Sequence, residues 1–331
     1  MSRWADRTRG GPDRTMEADT TSAALLENAD TVESTGDTVA YLEHEHPLPD
    51  HIYQGDCRDI LPVFRSNSMD LIVTSPPYAD QRKRTYGGVS PDEYVEWFLP
   101  ISAELQRVLK PEGSFILNIK ERVLGGERHT YVIELILAMR KQGWLWTEEY
   151  CWHKKNSYPG KWPNRFRDAW ERCLHFTKNR HFKMYQEAVM VPVGEWSSTR
   201  LRSLSETDRR RDESRVKSGF GKNVSNWVGR DKVYPTNVLH LATECGNTEH
   251  SAAFPVSLPS WFINLLTQPR DVVLDPFLGS GSAAVAAAQL GRRYVGIDLS
   301  PQYCAVARER LGLRQFQMSL PNLKEACQVY A

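Results

Sequence analysis

Apolar and polar positions along this chain follow two rhythms. Short apolar runs at 51–56, 70–74, 113–119, 271–274 and 293–298 read as buried strands of an α/β sheet. Between them, apolar residues recur three and four apart at 91–109, 129–141 and 282–290, which predicts helices, with shorter ones at 57–64 and 301–311. The first long helix has a defined start: Ser90 can cap it, Pro91 suits the first helical position, and Glu93 completes a capping box. Segments 144–152 and 170–177 are two further strands with too little between them for a crossover helix, so they predict an antiparallel hairpin at one sheet edge. The expected fold is α/β: a doubly wound, mostly parallel seven-stranded sheet with helices on both faces and that edge hairpin.

Two parts of the chain lack the rhythm. Residues 1–46 are acidic and rich in Thr, Ser and Asp, which predicts a disordered extension. Residues 181–249 are basic and mixed with Ser, Asn and Gly, which marks an insertion into the fold. The expected division is therefore 1–46 extension, 47–180 catalytic part, 181–249 insertion, 250–315 cofactor-binding part and 316–331 tail.

Composition adds little to this pattern. With 331 residues there is length for a substantial core, and the net charge of +1 hides the uneven distribution just described. The six cysteines form no Cys-x-x-Cys pair, so reduced thiols are expected and no metal site is. No signal peptide or membrane span is visible, which fits a cytoplasmic protein.

The chemistry sits where strands end. The run 271–274 leads into Asp275-Pro276-Phe277-Leu278-Gly279-Ser280-Gly281-Ser282, and an Ala-rich helix follows. Gly279 and Gly281 permit a tight turn and close approach of backbone to a ligand, and the helix start points its N–H groups at the same place. Ala284 stands where a dinucleotide fingerprint would carry its third glycine, and no Gly-Lys-Ser/Thr phosphate loop is present. The next strand ends at Asp298, at the distance expected of an acidic group accepting from a ribose diol; Ser300 is available to cap the helix beyond it.

The other strand end carries Thr74-Ser75-Pro76-Pro77-Tyr78. An exocyclic amine of a nucleobase is a poor nucleophile because its lone pair is delocalised into the ring, so alkylating it requires acceptors that favour a pyramidal nitrogen. The Ser75 hydroxyl and the Pro76 carbonyl can supply them, Pro76 and Pro77 stiffen the loop, and the Tyr78 ring offers a surface for a base.

Together these motifs resemble the amino-group DNA methyltransferases that use S-adenosylmethionine, in the β class, where the catalytic motif precedes the cofactor motif in a circularly permuted order. The resemblance covers roughly residues 50–180 and 250–312. It implies that Ser75, Pro76, Pro77 and Tyr78 are catalytic. It also implies a cofactor pocket from Asp56, Thr74, Phe254, Asp275, Pro276, Phe277, Gly279, Ser280, Gly281 and Asp298. Family members with Ser at the first tetrad position mostly methylate N4 of cytosine and those with Asp mostly N6 of adenine, so Ser75 points to cytosine, with adenine as the alternative. Methylation at C5 of cytosine requires a covalent cysteine nucleophile, usually after a proline, and no Pro-Cys dipeptide occurs.

A sheet carrying these motifs still needs a surface for double-stranded DNA. Arg82, Lys83 and Arg84 follow the catalytic tetrad; Lys154, Lys155 and Arg165 alternate with aromatics; Arg209, Arg210 and Arg211 lie in the insertion. Cations of this kind neutralise phosphates, and planar groups stack on bases. The resulting expectation is a prokaryotic, nucleoid-associated modification enzyme of a restriction-modification system, with a cognate endonuclease and a homodimer as partners. A non-enzymatic DNA-binding regulator is the distant alternative.

Overall fold

The computed structural model describes residues 47–80, 88–157, 160, 163–194, 202–207, 228–243 and 254–312. The expected extension 1–46 and tail 316–331 lie outside them, as do Arg82, Lys83, Arg84, Arg209, Arg210 and Arg211.

The sheet contains β1 (His51–Gln54), β2 (Met69–Thr74), β3 (Leu109–Ile119), β4 (Leu145–Lys154), β5 (Trp170–Thr177), β6 (Val238–Leu241), β7 (Val272–Asp275) and β8 (Arg293–Asp298). Their order across the sheet is β1-β8-β7-β2-β3-β5-β4-β6. From β1 to β3 every pair is parallel, while β5 runs antiparallel to both β3 and β4. The cofactor strand β7 therefore lies directly beside the catalytic strand β2, although most of the chain separates them. Parallel neighbours end on the same edge, so both motif loops emerge there.

Eight strands are present where the apolar pattern predicts seven. The additional strand, β6, falls inside the region read as an insertion and pairs in parallel with β4, with Leu239 opposite Trp152. Trp152 Nε1 donates to the Leu241 carbonyl at 3.1 Å, which fastens the new edge. The β4–β5 hairpin is thus interior to the sheet rather than at its edge. A four-residue strand with one buried side chain carries too little periodicity to announce itself.

Helices cover both faces. On one face α1 (Cys57–Ile60), α2 (Tyr94–Val108) and α3 (Tyr131–Lys141) bury Tyr94, Phe98, Leu105, Tyr131, Leu135 and Met139. On the other, α4 (Ser257–Leu266), α5 (Ser282–Gln289) and α6 (Pro301–Arg310) bury Phe262, Ile263, Ala286, Ala287 and Ala307. Alternation along β2 serves both: Ile72 belongs to the first layer, Leu71 and Val73 to the second. Burying such side chains stabilises the fold by about 1.5–3 kcal/mol each.

Half of the expected capping box forms, one step before α2. Ser90 Oγ accepts from the Glu93 N–H at 3.3 Å and donates to Glu93 Oε2 at 2.8 Å, while residues 91–93 make a turn that leads into the helix. At the opposite edge of the sheet from the motifs, buried Asp70 accepts from Lys110, Lys183 and the Val272 N–H, which ties β2, β3 and β7 together.

Candidate active site

The two motif strands meet through side chains. Thr74 Oγ1 donates to Asp275 Oδ1 at 2.6 Å, and the Phe277 N–H reaches the same oxygen at 3.1 Å. Both Thr74 and Asp275 are buried. Burial raises the Asp275 carboxyl to about 7; the Thr74 and Phe277 hydrogen bonds oppose this, and the nearby Asp298 charge adds to it.

Beyond Asp275 the chain turns twice through the left-handed region, at Gly279 (φ 54°) and Gly281 (φ 85°). The two glycines have different reasons. A Cβ on Gly281 would lie 2.8 Å from the Ala307 Cβ, so its bare backbone is what lets α5 pack on α6. A Cβ on Gly279 would meet no atom within 4 Å, so here the bare backbone borders open space. Of the ligand approach expected of both glycines, only Gly279 has that openness.

Asp298 sits across this loop. Its Oδ2 accepts from the Gly279 N–H at 2.7 Å and its Oδ1 from the Ser300 N–H at 2.8 Å. Ser300 Oγ accepts from the Tyr303 N–H, so the cap of α6 is supplied without Asp298. The strand-end carboxylate lies beside the bare Gly279 backbone, with both of its oxygens accepting from backbone N–H groups. This pairing of an acidic group with a side-chain-free loop fits a ribose held against the chain.

The remaining expected cofactor residues have mixed surroundings. Asp56 caps α1 through the Arg58 N–H and forms a bidentate pair with the Arg58 guanidinium, yet it lies close to Asp298 because the Gly55 N–H donates to the Asp298 carbonyl. Phe277 packs on Trp97 and Phe98 of α2. Ser280 receives Arg310 on both its carbonyl and its hydroxyl. Pro276 and Phe254 are buried, Phe254 against the layer of α4 to α6.

The catalytic loop is held from behind. Tyr94 of α2 donates its hydroxyl to the Pro77 carbonyl at 3.1 Å. The Tyr78 ring packs against the core of that face; its hydroxyl donates to Glu171 Oε2 at 2.7 Å, with Asn118 Oδ1 a second acceptor at 3.3 Å, and accepts from the Ser75 hydroxyl at 3.4 Å. Burial above all, then the Glu171 charge, keeps the phenol protonated by raising its pKa well above the usual tyrosine range. Asp80, two residues further on, pairs with Arg122.

Next to Tyr78 lies a cavity of about 310 Å³ whose wall includes Lys120, Arg122, Trp152, Lys154, Arg165 and Glu171. It opens at the edge of the sheet where β3 and β4 end and β5 begins. Of the expected DNA contacts that are described, Lys154 and Arg165 line this cavity, Lys154 paired with Glu171 and Arg165 with Asp168, while Lys155 is exposed.

Three residues of this centre escape sequence reasoning: Asn118, Glu171 and Tyr94. A signal existed for two of them. Asn118 and Glu171 are polar groups inside strands that read as buried, and a buried polar group requires a partner. Tyr94 reads simply as an apolar position of a helix. Among the described residues, Cys57, Cys151, Cys173 and Cys304 are free thiols.

A sequence model of the DNA methylase family, of N6 and N4 type, matches residues 69–309. The chain belongs to that family. This methylase is 30% identical over 283 residues to the type II methyltransferase M.PvuII of Proteus hauseri, covering 78% of its own chain and 82% of the relative. It is 28% identical to M.BglII of Bacillus subtilis, covering 82% and 72% respectively. Among solved structures, the PvuII DNA methyltransferase, cytosine-N4-specific, superposes with a TM-score of 0.59 at 25% identity, over 84% of the methylase and 90% of that chain. M1.HpyAVI in complex with S-adenosylmethionine has the same fold, with a TM-score of 0.51 at 20% identity over 80% and 99%. No helix among the described residues of the methylase is long and apolar enough to cross a membrane.

Proposed function

We propose that this methylase transfers a methyl group from S-adenosylmethionine to the exocyclic N4 of a cytosine turned out of duplex DNA at a specific site. The observation that carries the reading is the junction of Thr74 with Asp275, which puts the Ser75-Pro76-Pro77-Tyr78 loop and the Gly279 loop side by side on one sheet edge. The relation to M.PvuII and the cytosine-N4 specificity of the PvuII enzyme support the choice of base.

Asp298 and the open Gly279 backbone fit the ribose end of the cofactor, and Asp275 and Phe277 fit its methionine end. When bound, the cofactor supplies an electrophilic methyl group on a cationic sulfonium. Ser75 Oγ and the Pro76 carbonyl accept hydrogen bonds from the two amine N–H groups and aim the nitrogen lone pair. The cavity beside Tyr78 receives the extruded base, since a ring must leave the duplex stack before its amine is accessible. The N4–carbon bond forms as the sulfur–carbon bond breaks, and the surplus amine proton leaves to solvent. Lys155, the cavity-rim cations and the basic residues of 82–84 and 209–211 bind the phosphates. In the same reading the enzyme works in the cytoplasm beside a cognate endonuclease, as a homodimer.

The test is mass spectrometry of nucleosides from unmethylated DNA incubated with the protein and methyl-labelled S-adenosylmethionine, with Ser75→Ala as control. Label in N4-methylcytosine that is absent with the variant supports the proposal. Label in N6-methyladenine keeps the chemistry and overturns the base, and no labelled base overturns the function.

A further inference from the structure

A serine hydroxyl can either give or take a hydrogen bond, and only in the second role does it favour a nucleophilic amine. What decides the role of Ser75 is on the far side of Tyr78. The Tyr78 hydroxyl has one proton and faces three groups: Glu171 Oε2 at 2.7 Å, Asn118 Oδ1 at 3.3 Å and Ser75 Oγ at 3.4 Å. Glu171 is an acceptor only. Asn118 is committed as well, because its Nδ2 donates to the Arg172 carbonyl at 3.1 Å and so turns its oxygen towards Tyr78. With acceptors on both of these sides, the phenol proton goes to the nearer, charged one, Glu171. The phenol oxygen then has a lone pair left for the Ser75 proton.

We propose that Glu171 is a positioning residue of the methyl transfer: through Tyr78 it draws the Ser75 proton inward and leaves the Ser75 lone pairs facing the target amine. The hydrogen bonds run in one direction, from amine to Ser75 to Tyr78 to Glu171, as a preorganised dipole chain. Lys154 fixes the far end, since its ammonium donates to Glu171 Oε1 and can only donate. Glu171 is only 7% exposed in the wall of the cavity, with one oxygen engaged by Tyr78 and the other by Lys154. The inference rests on the assignment of Ser75 and Tyr78 to the catalytic loop.

The isosteric change Glu171→Gln tests the direction of the chain. Lys154 claims the amide oxygen, so the amide nitrogen turns to Tyr78; the phenol proton loses its charged acceptor and is shared between Asn118 Oδ1 and Ser75 Oγ, which weakens the inward pull on the Ser75 proton. In single-turnover assays with saturating DNA and labelled S-adenosylmethionine, the rate of base methylation is expected to fall about tenfold, with cofactor affinity within about twofold of the parent. In a Lys154→Met background the glutamine can rotate and offer its oxygen, so there Glu171→Gln is expected to cost less than about threefold. A second arm uses Tyr78→Phe, which cuts the chain; in that background Glu171→Gln should cost nothing further. An equal loss in the parent and Lys154→Met backgrounds, or a parent loss below about twofold, overturns the proposal. Equal cofactor binding by all variants shows that the fold stands. A parent protein that labels no base refutes the proposed function instead, which keeps the two failures apart.

Discussion

Thr74 and Asp275, 201 residues apart in the chain, share a 2.6 Å hydrogen bond between the ends of neighbouring parallel strands. Thr74 is the last residue before the catalytic loop and Asp275 the first of the cofactor loop, so one short bond sets the spacing between the two halves of the reaction. Replacing Thr74 by Val keeps the shape and removes the donor. The Asp275 carboxyl is then left buried with the Phe277 N–H still donating to it but without the Thr74 hydroxyl, which should cost about 1–3 kcal/mol in urea unfolding.

Asp275 should also make cofactor binding depend on pH. Its carboxyl titrates at about 7 in the free protein, chiefly because of burial. A carboxyl raised in the folded state favours folding at low pH, and that advantage disappears as pH rises from about 3.8 through about 7. A cationic ligand placed beside it favours the ionised form, so binding must expel the proton below that value. Isothermal titration is expected to show S-adenosylmethionine affinity falling by up to about tenfold per pH unit below 7, with proton release, and Asp275→Asn should flatten the profile.

Gly281 and Gly279 should respond differently to the same substitution. Alanine at Gly281 meets both a left-handed backbone and the Ala307 methyl group 2.8 Å away, so it should lower stability by about 2 kcal/mol or more. An added Ala307→Gly change should return the steric part. Alanine at Gly279 meets no atom, so it should carry only the cost of its backbone conformation, about 1 kcal/mol, while weakening cofactor binding. Chemical denaturation and cofactor-dependent thermal shifts measure the two effects separately.

His175 gives the stability curve an acid slope. It is fully buried, its Nε2 is hydrogen-bonded to Ser114 Oγ at 2.9 Å, and burial lowers its pKa from 6.5 to about 4. The unfolded chain binds a proton through this interval and the folded one does not, so stability is complete above about 6.5 and falls as pH drops towards 4. The loss over that window is about 3 kcal/mol. Urea titrations at several pH values should show the slope, and His175→Gln should lack it even if it is less stable throughout.

The strands and helices that carry the motifs were legible because a parallel strand buried on both faces is apolar along its length, as Met69–Thr74 and Arg293–Asp298 largely are. The motif residues were legible for a related reason: glycines, prolines and acidic groups at strand ends are chemically conspicuous. Val238–Leu241 was not, because an edge strand with a single buried side chain leaves no pattern. Nor could the motif spacing distinguish the packing duty of Gly281 from the open face of Gly279, since both turn through the same backbone region.

By itself, the sequence determined the α/β class, the two loops, their permuted order and the chemistry they support, because these depend on local periodicity and residue type. Only the tertiary structure decided that β7 lies beside β2, that Thr74 reaches Asp275, and that Glu171, Asn118 and Lys154 close in behind Tyr78. Those contacts join positions far apart in the chain. They arise from strand order and side-chain direction, which packing sets and local composition does not encode.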